Sequence, residues 1–220
     1  MNFWYYWTEN IRLSRDYIAY DEIGSRISRN VFLEKLSSGK YLPLRLKSED
    51  SLYIYKLFRL NGLENKYISR RISYYGNLYI EYLKMEGEQF PKFSFTDLKG
   101  ILYNNENSKG KIIVLNCWFI GCHACVAEMP LLNTLVNTYK TQNDIIFIGL
   151  ALDSKNELRE FLTRTKFNYI VAPNMGTFIR DSLKINLYPT DIIVNKKGEI
   201  IQVLNDCESL KIALKKLIYQ

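Results

Sequence analysis

Apolar and polar positions follow two different regimes along this chain. From residue 111 onward, short unbroken apolar runs alternate with segments in which apolar residues recur every three or four positions. Lys111-Ile112-Ile113-Val114-Leu115-Asn116-Cys117 and Ile145-Ile146-Phe147-Ile148-Gly149-Leu150-Ala151 are runs of the kind shown by strands buried on both faces. Between them, Leu131, Leu132, Leu135, Val136 and Tyr139 fall on one face of a predicted helix. Ser154-Lys155-Asn156-Glu157 reads as a capping box that opens a second helix, with Leu158, Phe161 and Leu162 as its apolar stripe. A short strand at Tyr169-Ile170-Val171 and a helix from Thr177 to Leu183 come next. Thr190 to Asn195 and Ile200 to Leu204 then form a hairpin around Lys196-Lys197-Gly198. A last helix carries Leu210, Ala213, Leu214, Leu217 and Ile218. The order β-α-β-α-β-α-β-β-α predicts an α/β sheet that ends in an antiparallel hairpin.

Residues 1–86 are less regular. Val31 to Leu36 predicts a short helix ending at Ser37-Ser38-Gly39, and Leu52 to Leu60 a strand stopped by Asn61-Gly62. Arg71 to Tyr75 and Leu78 to Tyr82 flank Gly76-Asn77, which predicts a hairpin with a tight turn. Of the 17 tyrosines, 12 lie in this part, yet it holds no motif and no internal repeat. It reads as an accessory region, residues 1–86, ahead of a second domain at residues 87–220.

Composition narrows the class. The chain has 220 residues, 47% of them hydrophobic and 24% charged, with only 11 glycines and 5 prolines, which excludes a disordered tail, a collagen-like repeat and a small disulfide scaffold. No stretch approaches the ~20 apolar residues of a membrane span, so no transmembrane segment is expected. The net charge of +7 is spread as +4 (14 basic, 10 acidic) over residues 1–86 and +3 (16 basic, 13 acidic) over 87–220. No run of five like charges occurs, and no nucleic-acid partner is expected. The aromatic start Phe3-Trp4-Tyr5-Tyr6-Trp7 is broken by Thr8-Glu9-Asn10, so it does not read as a secretory signal.

The chemistry concentrates at Cys122-His123-Ala124-Cys125, directly after a predicted buried strand and at the start of a predicted helix. Thiol–disulfide exchange needs a thiolate, and a helix N-terminus stabilises negative charge through its free N–H groups and dipole. Thiols in such motifs can fall from a pKa of ~8.5 to between roughly 3.5 and 7.5. Cys122 is expected to be the exposed nucleophile, and Cys125, one turn on and more buried, the resolving thiol. A structural zinc site commonly draws on two such pairs, and there is no second one here. Haem attachment needs a histidine directly after the second cysteine, where Val126 stands. No metal and no dissociable cofactor is therefore expected, and a pair of merely packed thiols is the plain alternative.

Residues 87–220 resemble the thioredoxin superfamily, and within it the TlpA/ResA branch of thiol–disulfide oxidoreductases. The resemblance rests on Gly87 to Phe95 with Asp97 and Gly100, on Gly110-Lys111 through Cys125, and on Ala127-Glu128-Met129-Pro130. It continues at Tyr188-Pro189-Thr190 and ends at Lys197-Gly198-Glu199-Ile200. It implies a thioredoxin-like α/β fold, a central mixed sheet flanked by helices; the N-terminal accessory segment with its predicted β-hairpin lies outside the resemblance. It also implies that Pro189 follows a cis peptide bond, leaving the Tyr188 backbone open to pair with an extended substrate segment. Glu128, three residues after Cys125, would shuttle the proton of the pair; a first-turn glutamate favoured by the helix dipole is the plain reading. The substrates implied are protein disulfides or dithiols in the periplasm or cell envelope, with electrons from a membrane donor; a cytoplasmic location is the alternative.

Several positions depart from the family pattern. Asn116 stands where thioredoxins carry a buried aspartate, which shifts the acid–base role towards Glu128. Gly121 replaces a common tryptophan and predicts a more open rim. His123 and Ala124, between the cysteines, are expected to tune the redox potential. Pro130 should kink its helix near Val126, and Trp118 matches a family aromatic that packing explains equally well. Cys117 reads as an inert core thiol and Cys207 as a bystander; nothing in the sequence supports a bridge between them. Two other functions stay open: a peroxiredoxin-like peroxidase, although Phe119 stands where such enzymes carry a threonine, and a binding or scaffold protein working through residues 1–86.

Overall fold

The computed structural model describes residues 2–48, 52–61 and 65–219. The chain divides into two compact units, Met1–Lys84 and Met85–Gln220.

In the first unit, α1 (Phe3–Asn10) is followed by β1 (Tyr17–Tyr20), β2 (Arg26–Ile27), α2 (Arg29–Ser37), β3 (Tyr41–Leu46), β4 (Tyr53–Arg59) and α3 (Lys66–Met85). The four strands form one sheet in the order β2-β1-β4-β3, with β1 parallel to β4. Phe32, Leu33 and Leu36 of α2 and Tyr55 and Leu57 of β4 are fully buried and make its core. The predicted helix at 31–36 and strand at 52–60 are present as α2 and β4; Gly62, predicted to help stop that strand, lies outside the described residues.

The hairpin expected over Arg71–Tyr82 is instead the middle of α3, while a hairpin of this unit lies between β1 and β2. The physical reason is periodicity. Ile72, Gly76, Tyr79 and Tyr82 are buried at spacings of four and three, the stripe of a helix. Gly76 is not a turn residue: a Cβ there would run into the backbone of Leu36 and Ser37 in α2. Its glycine allows two helices to touch backbone to backbone.

The second unit opens with a small hairpin, β5 (Ser94–Thr96) and β6 (Leu102–Asn104). Then come β7 (Ile112–Trp118), α4 (His123–Thr138), β8 (Ile145–Ala151), α5 (Lys155–Arg164), β9 (Ile170–Ala172), β10 (Thr190–Val194), β11 (Ile200–Leu204) and α6 (Cys207–Tyr219). Five strands form a mixed sheet in the order β11-β10-β7-β8-β9; β7, β8 and β9 are parallel, and β10 runs antiparallel to both β7 and β11. Every residue of β7 and β10 is buried, as central strands covered on both faces require. The Ser154–Glu157 capping box is made in both directions. The helix expected over 177–183 is a single π-helical turn, Phe178–Ser182, and the strand expected at 169–171 is displaced by one residue.

One face of this sheet positions the chemistry. Alternation puts Val114, Asn116 and Trp118 of β7 on the face covered by α4, α5 and α6, where Val114 packs with Leu132, Leu135, Leu210 and Leu214. Trp118 packs with Cys122, Cys125, Met129 and Leu158. Leu131, expected on the buried stripe of α4, is instead 59% exposed. The inward face runs through Cys125, Met129, Leu132 and Leu135, so Leu131 points away from the sheet.

Candidate active site

The turn between β7 and α4 is held by backbone bonds and one carboxylate. The Leu152 N–H donates to the Trp118 carbonyl at 3.1 Å, and the Cys122 N–H to the Phe119 carbonyl at 3.0 Å. Asp153, just after β8, accepts from the Ile120 N–H at 2.8 Å and so fixes the residues ahead of the first cysteine. Cys122 is then the N-cap of α4, and its Sγ accepts from the Cys125 N–H at 3.2 Å. Cys122 and Cys125 are joined as a disulfide with Cα atoms 5.3 Å apart. Cys122, expected to be exposed, is mostly covered: 8% exposed, against 2% for Cys125. The flanking turn and helix bury both sulfurs, and Cys122 is the more accessible of the two.

His123 and Ala124 occupy the exposed first turn of α4. Gly121 is exposed, and the Phe119 ring lies beside it, within 3.3 Å of where a Cβ would stand. Phe119 meets the Tyr188 ring edge-on at 5.4 Å, which brings the two loops of the site together. The Tyr188–Pro189 peptide bond is cis. Pro189 is buried, and the Thr190 hydroxyl that follows donates to the Leu187 carbonyl at 2.7 Å.

Behind the disulfide, Trp118 is fully buried, with its ring 5.9 Å from Phe161 and 5.4 Å from Phe167. Gly149 makes room for it: a Cβ there would stand 2.9 Å from the Trp118 indole nitrogen and 2.8 Å from the Phe167 ring. Pro130 lies inside α4 and leaves the Val126 carbonyl without its usual helical donor.

Glu128 lies one turn after Cys125 on the inward side of α4. Its Oε1 accepts from the Cys207 N–H at 3.4 Å, and its Oε2 is buried with no hydrogen-bond partner among the described residues. Burial, with help from nearby Asp206, pushes the carboxyl up to about 7; the Cys207 bond opposes this only in part. Asn116, which the sequence placed at a site of interest, donates from Nδ2 to Asp191 Oδ1 at 2.9 Å across the β7–β10 pair. Asp191 is the residue that sequence reasoning missed. It is fully buried, and burial pushes its carboxyl up to about 8. The available signal was an acid inside the otherwise apolar strand Thr190-Asp191-Ile192-Ile193-Val194.

Cys117 and Cys207 are both free and buried. Cys117 alternates to the sheet face opposite Asn116, whereas Cys207 opens α6 on the Asn116 face, so the two thiols lie on opposite sides. Burial raises both, Cys207 to about 12. Among the described residues, no group of three or more His, Cys, Asp or Glu side chains could hold a metal ion.

The Redoxin family profile matches residues 85–213, more than half of the chain and all of the elements that build this site. The chain belongs to the Redoxin family. Among the relatives of this redoxin is the thiol-disulfide oxidoreductase ResA of Bacillus cereus (strain ZK / E33L), 29% identical over 129 residues, covering 58% of this chain and 75% of that one. The ResA of Halalkalibacterium halodurans is 30% identical over 132 residues, covering 60% of this chain and 75% of that protein. The likeness extends to the fold: the crystal structure of the thioredoxin domain of a thiol-disulfide oxidoreductase from Bacteroides vulgatus superposes with a TM-score of 0.55 at 23% identity, covering 60% of the redoxin and 97% of that chain. This redoxin is therefore a ResA-like member of the thioredoxin superfamily, with a thioredoxin-like mixed sheet in its second unit.

Proposed function

We propose that this chain reduces disulfides of protein substrates in the cell envelope, recharged by a membrane electron donor. Its chemistry is that of a protein thiol–disulfide oxidoreductase. The observation that carries the reading is the Cys122–Cys125 disulfide at the N-terminus of α4, with the Cys125 N–H directed at Cys122 Sγ. A thiolate on Cys122 gains from that donor and from the helix dipole, so Cys122 is the nucleophile.

In the first step the Cys122 thiolate attacks one sulfur of the substrate disulfide, and the other substrate sulfur leaves as a thiolate. In the second, Cys125 gives up its proton and attacks Cys122 Sγ; the bond to the substrate breaks and the second substrate thiolate leaves. The two electrons gained by the substrate are those lost by the pair. Glu128 takes the Cys125 proton, for which a carboxyl near neutrality is suited. Tyr188 presents its backbone to an extended substrate segment with Pro189 setting its direction, and the exposed His123 and Ala124 tune the pair. Residues 1–86 serve as an accessory unit and 87–220 as the redox domain. Among the described residues no helix is long and apolar enough to cross a membrane.

The test is dithiol-linked reduction of insulin by the full chain against its Cys122→Ser variant, with the reduction potential of the pair measured against glutathione. Turnover that needs Cys122, together with a potential below that of glutathione, supports the reading. Equal, negligible turnover in both forms overturns it, and a potential well above glutathione reverses the direction to oxidation.

A further inference from the structure

Asp191 has no task in the exchange as described, and yet it is a fully buried acid beside the site. It is the direct cross-strand partner of Asn116, and both face α4 and α6. Its Oδ1 accepts from Asn116 Nδ2 at 2.9 Å, while its Oδ2 is buried without a hydrogen-bond partner among the described residues. Glu128 Oε2 and the Tyr169 hydroxyl are buried and unpartnered in the same way. These groups act on one another: the charge of Glu128 bears on Asp191, and both bear on Tyr169 and Cys207. The sheet and α4 thus enclose two carboxyl groups behind the helix turn that carries Cys125.

We infer that Asp191 is a positioning residue for the exchange reaction: with Glu128 it forms one buried acid pair on the side of the sheet that α4 covers, and Asp191 keeps its proton while Glu128 trades one with the Cys125 sulfur. This rests on the exchange reading above. The groups facing Asp191 are Asn116 of β7, Glu128 of α4, Asp206 and Cys207 at the start of α6, and Tyr169 ahead of β9, with the Cys117 thiol close by on the other face of β7. The Asn116 amide favours charge on Asp191, the charges of Glu128 and Asp206 disfavour it, and the thiols and the phenol stay neutral where the carboxyls titrate. Two carboxylates in such a place do not both ionise at one pH, and their protons leave in sequence. The first comes from Glu128, at about 7. The second is held on Asp191 to about 8 by burial and by the charge just formed on Glu128.

In the resolving step, the proton leaves Cys125 for the Glu128 carboxylate, the Cys125–Cys122 S–S bond forms, and the bond from Cys122 to the departing thiol breaks with its electron pair. Asp191, still protonated, leaves the buried site with a single negative charge before the transfer and none after it. Were Asp191 ionised as well, the thiolate forming on Cys125 would meet a further buried negative charge, and Glu128 would already hold a proton over more of the pH range and be unable to take one.

The experiment uses the full chain, reduced and loaded on Cys122 with 5-thio-2-nitrobenzoate, whose release by Cys125 is followed by absorbance from pH 5 to 10. The wild type is expected to show two limbs in its rate profile. Asp191→Asn should keep one limb only. Glu128→Gln should slow release about tenfold or more and move the remaining limb to lower pH, and the double variant should lose both. An Asp191→Asn profile that superposes on the wild type overturns the inference. Failure of the underlying exchange reading looks different: the wild type then releases no thiol, or Cys125→Ser releases it equally well. A second measurement does not depend on an Asp191 variant folding. Infrared titration of the buried carboxyl band in the oxidised protein should show Asp191 titrating at lower pH in Glu128→Gln than in the wild type; an unchanged midpoint overturns the coupling.

Discussion

The backbone N–H of Cys125 points at the sulfur of Cys122, 3.2 Å away. One helical turn thus both spaces the two sulfurs for a bond and supplies the donor that favours charge on the first of them. That contact separates the roles of the pair. Cys122→Ser should lose insulin reduction by at least about a thousandfold, because no thiolate remains to attack. Cys125→Ser should instead accumulate a mixed disulfide on Cys122, seen as added mass that dithiothreitol removes. If Cys122→Ser accumulates the adduct and Cys125→Ser does not, the order of attack is reversed.

Glu128 should affect the second step and spare the first. Its Oε2, without a hydrogen-bond partner among the described residues, and its raised carboxyl suit proton uptake from Cys125 near neutral pH. Glu128→Gln is therefore expected to slow resolution of a mixed disulfide by about 10- to 100-fold at pH 7. Alkylation of Cys122 by iodoacetamide should change by less than about threefold, since Cys122 takes its stabilisation from the helix terminus. Equal losses in both rates would mean that Glu128 shapes the helix and does not handle the proton.

The buried carboxyls also link stability to pH. Asp191 and Glu128 ordinarily titrate at 3.8 and 4.5, and folding raises them to about 8 and about 7. Between those limits the folded state binds more protons than the unfolded chain. Stability is therefore full below about pH 4 as far as these two groups are concerned, and is lost as pH rises through 7 and 8. At about 1.4 kcal/mol per pKa unit, the part of the loss that falls between pH 6 and pH 9 is on the order of a few kcal/mol. Urea unfolding of the full chain at pH 6 and pH 9 measures it, and Asp191→Asn should remove much of the difference. A difference that Asp191→Asn leaves intact would place the linkage on other groups.

The legible part of this site is the part written in consecutive residues. An unbroken apolar run, a Cys-x-x-Cys pair and a helical stripe specify β7, the turn and α4 without reference to anything distant. Asp191 was not legible, because its meaning depends on Asn116, which lies opposite it only after β10 has paired antiparallel to β7. Read alone, a single acid in a short strand looks like an edge position facing water. The hairpin expected at residues 71–82 failed for the opposite reason. Gly76-Asn77 between tyrosines and isoleucines is a strong local turn signal, and it outweighed the weaker spacing of Ile72, Gly76, Tyr79 and Tyr82. The partner that makes Gly76 necessary is α2, nearly forty residues earlier, so the local signal had no access to it.

The glycine behind the redox pair gives a packing test. A Cβ at position 149 would crowd both the Trp118 indole nitrogen and the Phe167 ring, neither of which can move without disturbing the layer behind Cys125. Gly149→Ala should therefore destabilise the fold by about 1–3 kcal/mol. It should also shift the fluorescence of Trp118, read against a Trp4→Phe, Trp7→Phe background. Stability equal to the parent would mean that the two rings yield freely and that the wedge is loose.

Gly76 sets helix propensity against packing. In an isolated helix, Gly→Ala gains about 1 kcal/mol, because alanine loses less backbone entropy and glycine is the poorest non-proline helix former. Position 76 sits in the middle of α3, so propensity alone predicts that Gly76→Ala stabilises the protein. The approach of α2 predicts the reverse. The new Cβ would meet the backbone of Leu36 and Ser37, which cannot rotate away as a flexible side chain would. Ser37 is further tied by its carbonyl, which accepts from the Ser73 hydroxyl at 2.6 Å one turn earlier on α3. Separating the helices would loosen that bond and uncover Leu36 and Ile72, both fully buried. The clash outweighs the propensity gain, and a net loss of about 1–3 kcal/mol is expected in urea unfolding. Asn77→Ala, on the exposed side of the same helix, provides the control. It should be neutral or slightly stabilising, and a stabilised Gly76→Ala beside a neutral control would show that the two helices do not touch at this point.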